Sequence, residues 1–171
     1  MSSTTRRRRE KLRRNRLPAS NLRALGARVV QKTPVPPDSP PVAVVAAVIQ
    51  RSGRVLLARR PAHKHLAFKW EFPGGKVDPG ETPEIALARE LREELACEVE
   101  IVRALPRFLH TYDRATIEMI PFVCELAPRS PEPHPHEHLA LAWVAPAELN
   151  SYDLAAADRP VVAAWQRETP A

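Results

Sequence analysis

One uninterrupted apolar run narrows the folds open to this chain more than any other feature. Val42–Gln50 reads VAVVAAVIQ and is rich in β-branched residues. It falls well short of the roughly 20 residues that a membrane span needs. The run therefore predicts a buried strand, and no contact with a membrane is expected. The turn sequence RSGR follows, and VLLARR at Val55–Arg60 predicts the returning strand of a hairpin.

A helix with clear start signals follows this hairpin. Thr82 is placed to cap it, Pro83 suits its first turn, and the pattern continues to about Leu95. Further along, the sequence predicts a strand over 97–112 with a kink at Pro106, strands at Thr116–Leu126 and Leu139–Ala145, a short helical turn at 146–152, and a last helix at Arg159–Glu168. The order β-β-α-β-β-β-α predicts an α/β (α+β) fold in which helices pack on a mixed sheet.

The charge of the chain is divided unevenly along its 171 residues. Residues 1–33 hold eleven Lys and Arg against one acid, whereas the remainder holds fifteen against nineteen. The block Arg6–Arg16 and the proline-rich stretch Thr33–Pro41 predict a disordered, basic extension over 1–40, followed by one domain over 41–171. The extension is either passive or an arm that contacts nucleic acid, and the sequence leaves both alternatives open. Nothing in it indicates whether the protein is a monomer or a dimer.

The two cysteines, Cys97 and Cys124, lie in apolar surroundings without any CxxC spacing. This pattern predicts reduced thiols in the core of a cytoplasmic protein.

Three acids share one face of the predicted helix: Glu90, Glu93 and Glu94. Like charges at this spacing cost a few tenths of a kcal/mol per pair, and a bound hard cation such as magnesium would reverse that cost. The alternative is a solvated face on which Arg89 and Arg92 offset the acids. The preceding Pro-Gly-Gly at 73–75 favours the first interpretation, because glycine lets the backbone approach a ligand or metal closely.

The spacing of this stretch resembles the Nudix box. Five residues separate Gly75 from Glu81, and seven separate Glu81 from the tripeptide Arg89-Glu90-Leu91. One more residue separates this tripeptide from Glu93-Glu94. The flanking segments are similar to MutT-type nucleoside triphosphate pyrophosphohydrolases, and the similarity covers about Val42 to Trp165. The resemblance implies a Nudix-type α/β/α sandwich with a central mixed sheet. It also implies hydrolysis of nucleoside triphosphates with Mg²⁺, or Mn²⁺, as cofactor.

The resemblance also assigns roles to residues around the box. Glu93 and Glu94 are implied metal ligands, Glu90 a ligand or the general base, and the carbonyl of Gly74 a further ligand. Arg89 is implied to orient the glutamates, Glu81 to support them, and Glu137 to lie near the metals. The nearby histidines, His134, His136 and His138, are expected in an exposed loop and not in a metal cluster.

Substrate contacts carried over in the same way are Arg60, His65, Phe72, Arg114 and Asp158. Asp158 matches a residue that hydrogen-bonds the base, but it is also a good helix cap, and both roles remain open. Trp143 either lines the base pocket or belongs to the core.

The sequence departs from the box at its end, where Ala96 and Cys97 replace a glycine and a bulky apolar residue. If this position is left-handed, alanine costs roughly 1 kcal/mol there. The leading expectation is an enzyme that removes oxidised nucleotides such as 8-oxo-dGTP. The alternatives are a pyrimidine-preferring enzyme acting on CTP, dCTP or 5-methyl-dCTP, and a nucleic-acid-associated binding module that uses the basic tail.

Overall fold

A computed structural model describes residues 40–168. Its elements are β1 Val42–Arg51, β2 Arg54–Arg59, β3 Trp70–Glu71, α1 Pro83–Leu95, β4 Val99–Ala104, β5 Phe108–Tyr112, β6 Ala115–Leu126, β7 Ala140–Val144, a 3₁₀ helix Pro146–Ser151, and α2 Asp158–Glu168. The basic block Arg6–Arg16 and the rest of the predicted extension up to residue 39 lie outside the described residues. None of the helices in the described range is long and apolar enough to cross a membrane.

The seven strands form one mixed sheet. Its path is β3-β2-β1-β6-β4, with β5 also paired to β6 and β7 to β2. β1 and β6 are parallel, from Val42 opposite Ile117 to Gln50 opposite Glu125. The other named strand pairs are antiparallel. The predicted mixed sheet is therefore confirmed.

The buried strand β1 separates two apolar cores. Val45, Ala47 and Ile49 pack with the buried residues of α1, which include Leu87 and Leu91. The alternate residues Ala46 and Val48 belong to a second core that contains Val161 and Trp165 of α2. Because successive side chains of a strand point to opposite faces, the two helices cover opposite faces of the sheet. This is the α/β/α arrangement that the resemblance implied.

The structure corrects two predictions about the strands. The single kinked strand expected over 97–112 is two strands, β4 and β5, which pair with successive parts of β6. The break contains Pro106, which has no N–H to donate to a ladder. β3 was not predicted at all, since two residues are too short to show a periodicity.

The prediction of core thiols is confirmed. Both cysteines are free and buried. Burial raises the pKa of the Cys97 thiol to about 11 and that of Cys124 to about 12.

Candidate active site

The glycine loop lies extended beside β1. The N–H groups of Val45 and Ala47 donate to the carbonyls of Gly75 and Pro73, at 2.8 and 2.9 Å. Between them, the carbonyl of Gly74 receives no hydrogen bond from residues 40–168. Gly74 has φ +148°, and a Cβ there would lie 2.2 Å from the carbonyl oxygen of Val45. Only glycine fits, and its position leaves one backbone oxygen available beside α1.

The helix α1 begins and ends where the sequence predicted. Thr82 Oγ1 accepts a hydrogen bond from the N–H of Ile85, and Pro83 occupies the first turn. Leu87, Leu91 and Leu95 are fully buried against the sheet, which fixes the rotation of the helix. Ala96 ends the helix in the left-handed conformation, at φ 51° and ψ 30°. The alanine therefore adopts the conformation expected at this departure from the box.

The three glutamates of α1 differ in their surroundings. Glu94 is 7% exposed, and its Oε2 accepts a hydrogen bond from the N–H of Gly74 at 3.2 Å. Burial raises the pKa of Glu94 to about 7. The Glu90 side chain is 16% exposed and lies against Gly75. The Glu93 side chain is 56% exposed. Glu90 and Glu94 thus share a cleft with the glycine loop, while Glu93 faces solvent.

Arg89 connects most of the acids around the box. Its Nε and Nη2 donate to the two oxygens of Glu81 at 2.8 and 2.9 Å. Its Nη1 donates to Glu90 at 3.0 Å and to Glu93 at 3.3 Å. The hydrogen bond from Arg89, assisted by the Asp78 N–H, lowers the pKa of Glu81 to about 2. Arg89 is thus held between Glu81 and two glutamates of α1.

A second group of charged residues faces α1 from across the cleft. Arg60 Nη1 lies 2.5 Å from Glu71 Oε2, and His138 Nε2 lies 3.1 Å from Glu71 Oε1. Lys64 Nζ lies 2.5 Å from Glu137 Oε2. Sequence reasoning missed Glu71 and Lys64, and the only signal for Glu71 was its place directly before Phe72 and the glycine loop.

The expectation that the three histidines lie in an exposed loop is wrong for one of them. His134 and His136 are exposed, but the side chain of His138 is only 1% exposed. The chain turns inward at this point because the next residue, Leu139, donates its N–H to the carbonyl of Arg59 on β2. This contact carries His138 beneath the surface to Glu71.

The donors in the cleft suit a hard divalent cation. They are carboxylate oxygens and the Gly74 carbonyl, which are ligands that magnesium prefers. A Cβ on Gly75 would lie 2.3 Å from Glu90 Cδ, so glycine creates the space that this carboxylate fills. Within residues 40–168, no three His, Cys, Asp or Glu side chains converge on one point. Instead, Arg89 holds Glu90 and Glu93, and Lys64 holds Glu137.

A cavity of about 540 Å³ extends from these carboxylates into the domain. Its lining includes Glu90, Glu94, Glu137, Arg60, Lys64, His65, Phe72, Tyr112, Met119 and Asp158. This volume lies within the roughly 300–1,000 Å³ typical of ligand sites. The cavity therefore joins most of the acids to most of the expected substrate contacts.

Asp158 is buried in this cavity at the first position of α2. Its Oδ1 accepts a hydrogen bond from the backbone N–H of Phe72 at 2.9 Å. Burial raises the pKa of Asp158 to about 8. A helix cap would accept a hydrogen bond from the first turn of α2. The Asp158 carboxyl instead accepts one from Phe72, in a neighbouring loop.

Two residues considered as substrate contacts do not line the cavity. Arg114 is exposed in the turn between β5 and β6 and does not line the cavity. Trp143 packs against the core under α1, with the Arg51 guanidinium 4.1 Å from its ring. Tyr112 occupies the wall beside His65 instead, with ring centroids 5.9 Å apart.

The comparison with known proteins settles the family. The NUDIX domain model matches residues 39–165. The chain belongs to the Nudix family. Nudix hydrolases generally use divalent metal ions, and the expectation of a hydrolase that acts on phosphoanhydride bonds is confirmed at the level of this family.

Several relatives are similar to this chain over most of their own length. CTP pyrophosphohydrolase of Escherichia coli K12 is 41% identical over 128 residues, which are 72% of this chain and 90% of the relative. A Mycobacterium tuberculosis H37Rv protein with the provisional name 8-oxo-dGTP diphosphatase 2 is 41% identical over 121 residues, covering 70% and 84%. The crystal structure of a MutT Nudix hydrolase from Burkholderia pseudomallei superimposes with a TM-score of 0.63 at 32% identity, covering 74% and 98%.

Proposed function

We propose that this Nudix protein hydrolyses nucleoside triphosphates to a nucleoside monophosphate and pyrophosphate, with 8-oxo-dGTP as the leading substrate. The supporting observation is one continuous cavity that has Glu90 and Glu94 at one part of its lining and the buried carboxyl of Asp158 at another. A nucleotide needs both groups at once, since its phosphates require a cation and its base requires hydrogen-bonding partners.

Magnesium is the proposed cofactor, with manganese as the alternative. Glu90, Glu93, Glu94, Glu137 and the Gly74 carbonyl would hold it. When bound, such an ion neutralises phosphate oxygens and activates water for attack on phosphorus. The protein's own contribution is to fix these oxygens. Arg89 holds Glu90 and Glu93, and the Gly74 N–H holds Glu94.

The buried carboxyl of Asp158 supports recognition of a base that offers both donors and acceptors. With its pKa at about 8, this group keeps its proton near neutral pH. A neutral carboxylic acid presents one O–H donor beside an acceptor oxygen. An oxidised guanine presents matching groups on one edge, and Phe72 and Met119 line the same cavity with apolar surface. Asp158 is therefore the proposed base contact, with Arg60 and His65 close to the remaining nucleotide.

A pyrimidine-preferring enzyme is the second candidate. It is supported by the relative named CTP pyrophosphohydrolase, which matches over 128 residues at the same 41% identity as the relative with the provisional name 8-oxo-dGTP diphosphatase 2 does over 121. A cytosine also carries a donor and an acceptor side by side, so Asp158 fits either base.

The test is steady-state hydrolysis by the purified full-length chain with magnesium. The panel is 8-oxo-dGTP, dGTP, CTP, 5-methyl-dCTP and ADP-ribose, with products identified and Glu94→Gln as the control. A clear preference for 8-oxo-dGTP that yields monophosphate and pyrophosphate supports the leading proposal. A preference for cytidine nucleotides replaces it with the second candidate, and no turnover on any compound refutes both.

A protein of another class, a nucleic-acid-associated binding module, would depend on its basic tail. Deleting residues 1–40 separates the two classes. An enzyme of the proposed kind keeps its kcat and KM in the shortened chain, whereas a tail-dependent binder loses affinity and salt dependence. The two free, buried thiols are in keeping with the cytoplasmic location that forms part of this proposal.

A further inference from the structure

Lys64 lies where its positive charge meets the proposed metal ligands. It stands in the segment between β2 and β3 and lines the cavity, with 30% of its side chain exposed. Its ammonium nitrogen is 2.5 Å from Glu137 Oε2 and 3.9 Å from Glu94 Oε1. The protein thus supplies a cation to two of the carboxylates that would bind a divalent ion.

The backbone around Lys64 is held in one shape. Arg60 donates its N–H to the carbonyl of Lys69 at 2.9 Å, and Phe68 donates to the carbonyl of Arg60 at 3.1 Å. Leu66 and Phe68 both have positive φ, 58° and 65°, a conformation that non-glycine residues keep only where the surroundings enforce it. The segment is therefore a closed loop, and any movement of the ammonium comes from the flexible side chain.

We propose that Lys64 is a built-in counter-ion that competes with the divalent cation for Glu94 and Glu137 and, once displaced, binds the phosphates of the substrate. The inference rests on the proposed function, since it concerns the same metal and nucleotide. A divalent ion on these carboxylates repels the nearby ammonium. The ammonium then needs another anionic partner, and a lysine side chain can swing as a point charge to a phosphate in the same cavity.

The loop offers a matched control in Lys69. This lysine is of the same type, five residues along the same loop, but it pairs with Asp153 and does not line the cavity. Lys64→Arg supplies the conservative counterpart, because it retains the charge. Lys64→Met removes the charge and keeps most of the side-chain length. As the side chain is partly exposed in a loop, the variant is expected to fold, and circular dichroism checks this.

The first measurement is the affinity of each protein for Mn²⁺ without nucleotide. The concentration of free Mn²⁺ is read from its electron paramagnetic resonance signal. Removing a partly exposed ion pair is expected to tighten Mn²⁺ binding about fivefold in Lys64→Met. Lys64→Arg and Lys69→Met should bind as the wild type does. Unchanged or weaker binding in Lys64→Met overturns the counter-ion role.

The second measurement is the KM for the best nucleotide of the panel at saturating metal. Lys64→Met should raise KM about tenfold through loss of one charged phosphate contact, while Lys64→Arg recovers most of it. An unchanged KM overturns the phosphate contact. Failure of the wild type to turn over any nucleotide refutes the proposed function. If the wild type turns over nucleotide normally and Lys64→Met has the same Mn²⁺ affinity and the same KM, only the role of Lys64 is refuted.

Discussion

Replacing Gly75 by alanine should displace the Glu90 carboxylate without unfolding the protein. A Cβ at this position would lie 2.3 Å from Glu90 Cδ. Ordinary contact begins at 3.4 Å, so the carboxyl group must move by about 1.1 Å. The atom in the way belongs to a flexible side chain, and Gly75 does not have a positive φ, so the free energy of unfolding should change by less than about 1 kcal/mol. A misplacement of about 1 Å in an active site can cost about a hundredfold in rate.

The assay is kcat for nucleoside triphosphate hydrolysis at saturating magnesium, together with urea unfolding. Gly75→Ala is expected to lose about a hundredfold in kcat with almost unchanged stability. Glu90→Gln is the control, and adding Gly75→Ala to it should cost little more, since both changes act through one carboxylate. A kcat within about threefold of the wild type, or fully additive losses, would refute the placement of Glu90 by Gly75.

Three further predictions follow from particular contacts. Ala96→Gly should raise the free energy of unfolding by about 1 kcal/mol, because it relieves a left-handed alanine, and an unchanged urea midpoint would contradict this. Burial raises the pKa of Asp158 from its ordinary value of 3.8 to about 8, so between these values the folded protein keeps a proton that the unfolded chain loses. The wild type therefore loses free energy of unfolding as the pH rises from about 4 to about 8. Asp158→Asn does not titrate, so its free energy of unfolding should rise relative to that of the wild type across this window. A difference between the two proteins that stays constant with pH would contradict this. Arg89→Lys should lower kcat about tenfold, since lysine cannot make the two-pronged contact with Glu81, and undiminished turnover would remove the orienting role.

The sequence was most informative where the contacts are local. The i, i+3 and i+4 spacing of Glu90, Glu93 and Glu94 and the cap at Thr82 were sufficient to predict the acidic face and the bounds of α1. The glycine pair before the helix indicated a backbone that could approach a ligand or metal closely. The structure shows close approaches to the protein itself, of Gly74 to the Val45 carbonyl and of Gly75 to the Glu90 carboxylate. Such features depend on residues a few positions apart, and periodicity reports them directly.

The contacts that were missed join distant parts of the chain. His138 meets Glu71 across 67 residues, and Lys64 meets Glu137 across 73. Both contacts depend on the pairing of β2 with β3 and β7, and β3 has only two residues. No local pattern encodes the register of so short a strand. For the same reason, the inward position of His138 could not be separated from that of its exposed neighbours in a proline-rich loop.

The central claim, that the crowded glutamates of α1 hold the catalytic cation, has one direct test. It is the rate of magnesium-dependent pyrophosphate release from 8-oxo-dGTP by the wild type, Glu93→Gln and Glu94→Gln, each measured across a magnesium titration. Both substitutions should lower the rate by at least about a hundredfold, since each removes a charged oxygen donor without changing the shape of the side chain. If both variants keep the wild-type rate and the wild-type dependence on magnesium, these carboxylates do not bind the catalytic ion, and the account is wrong.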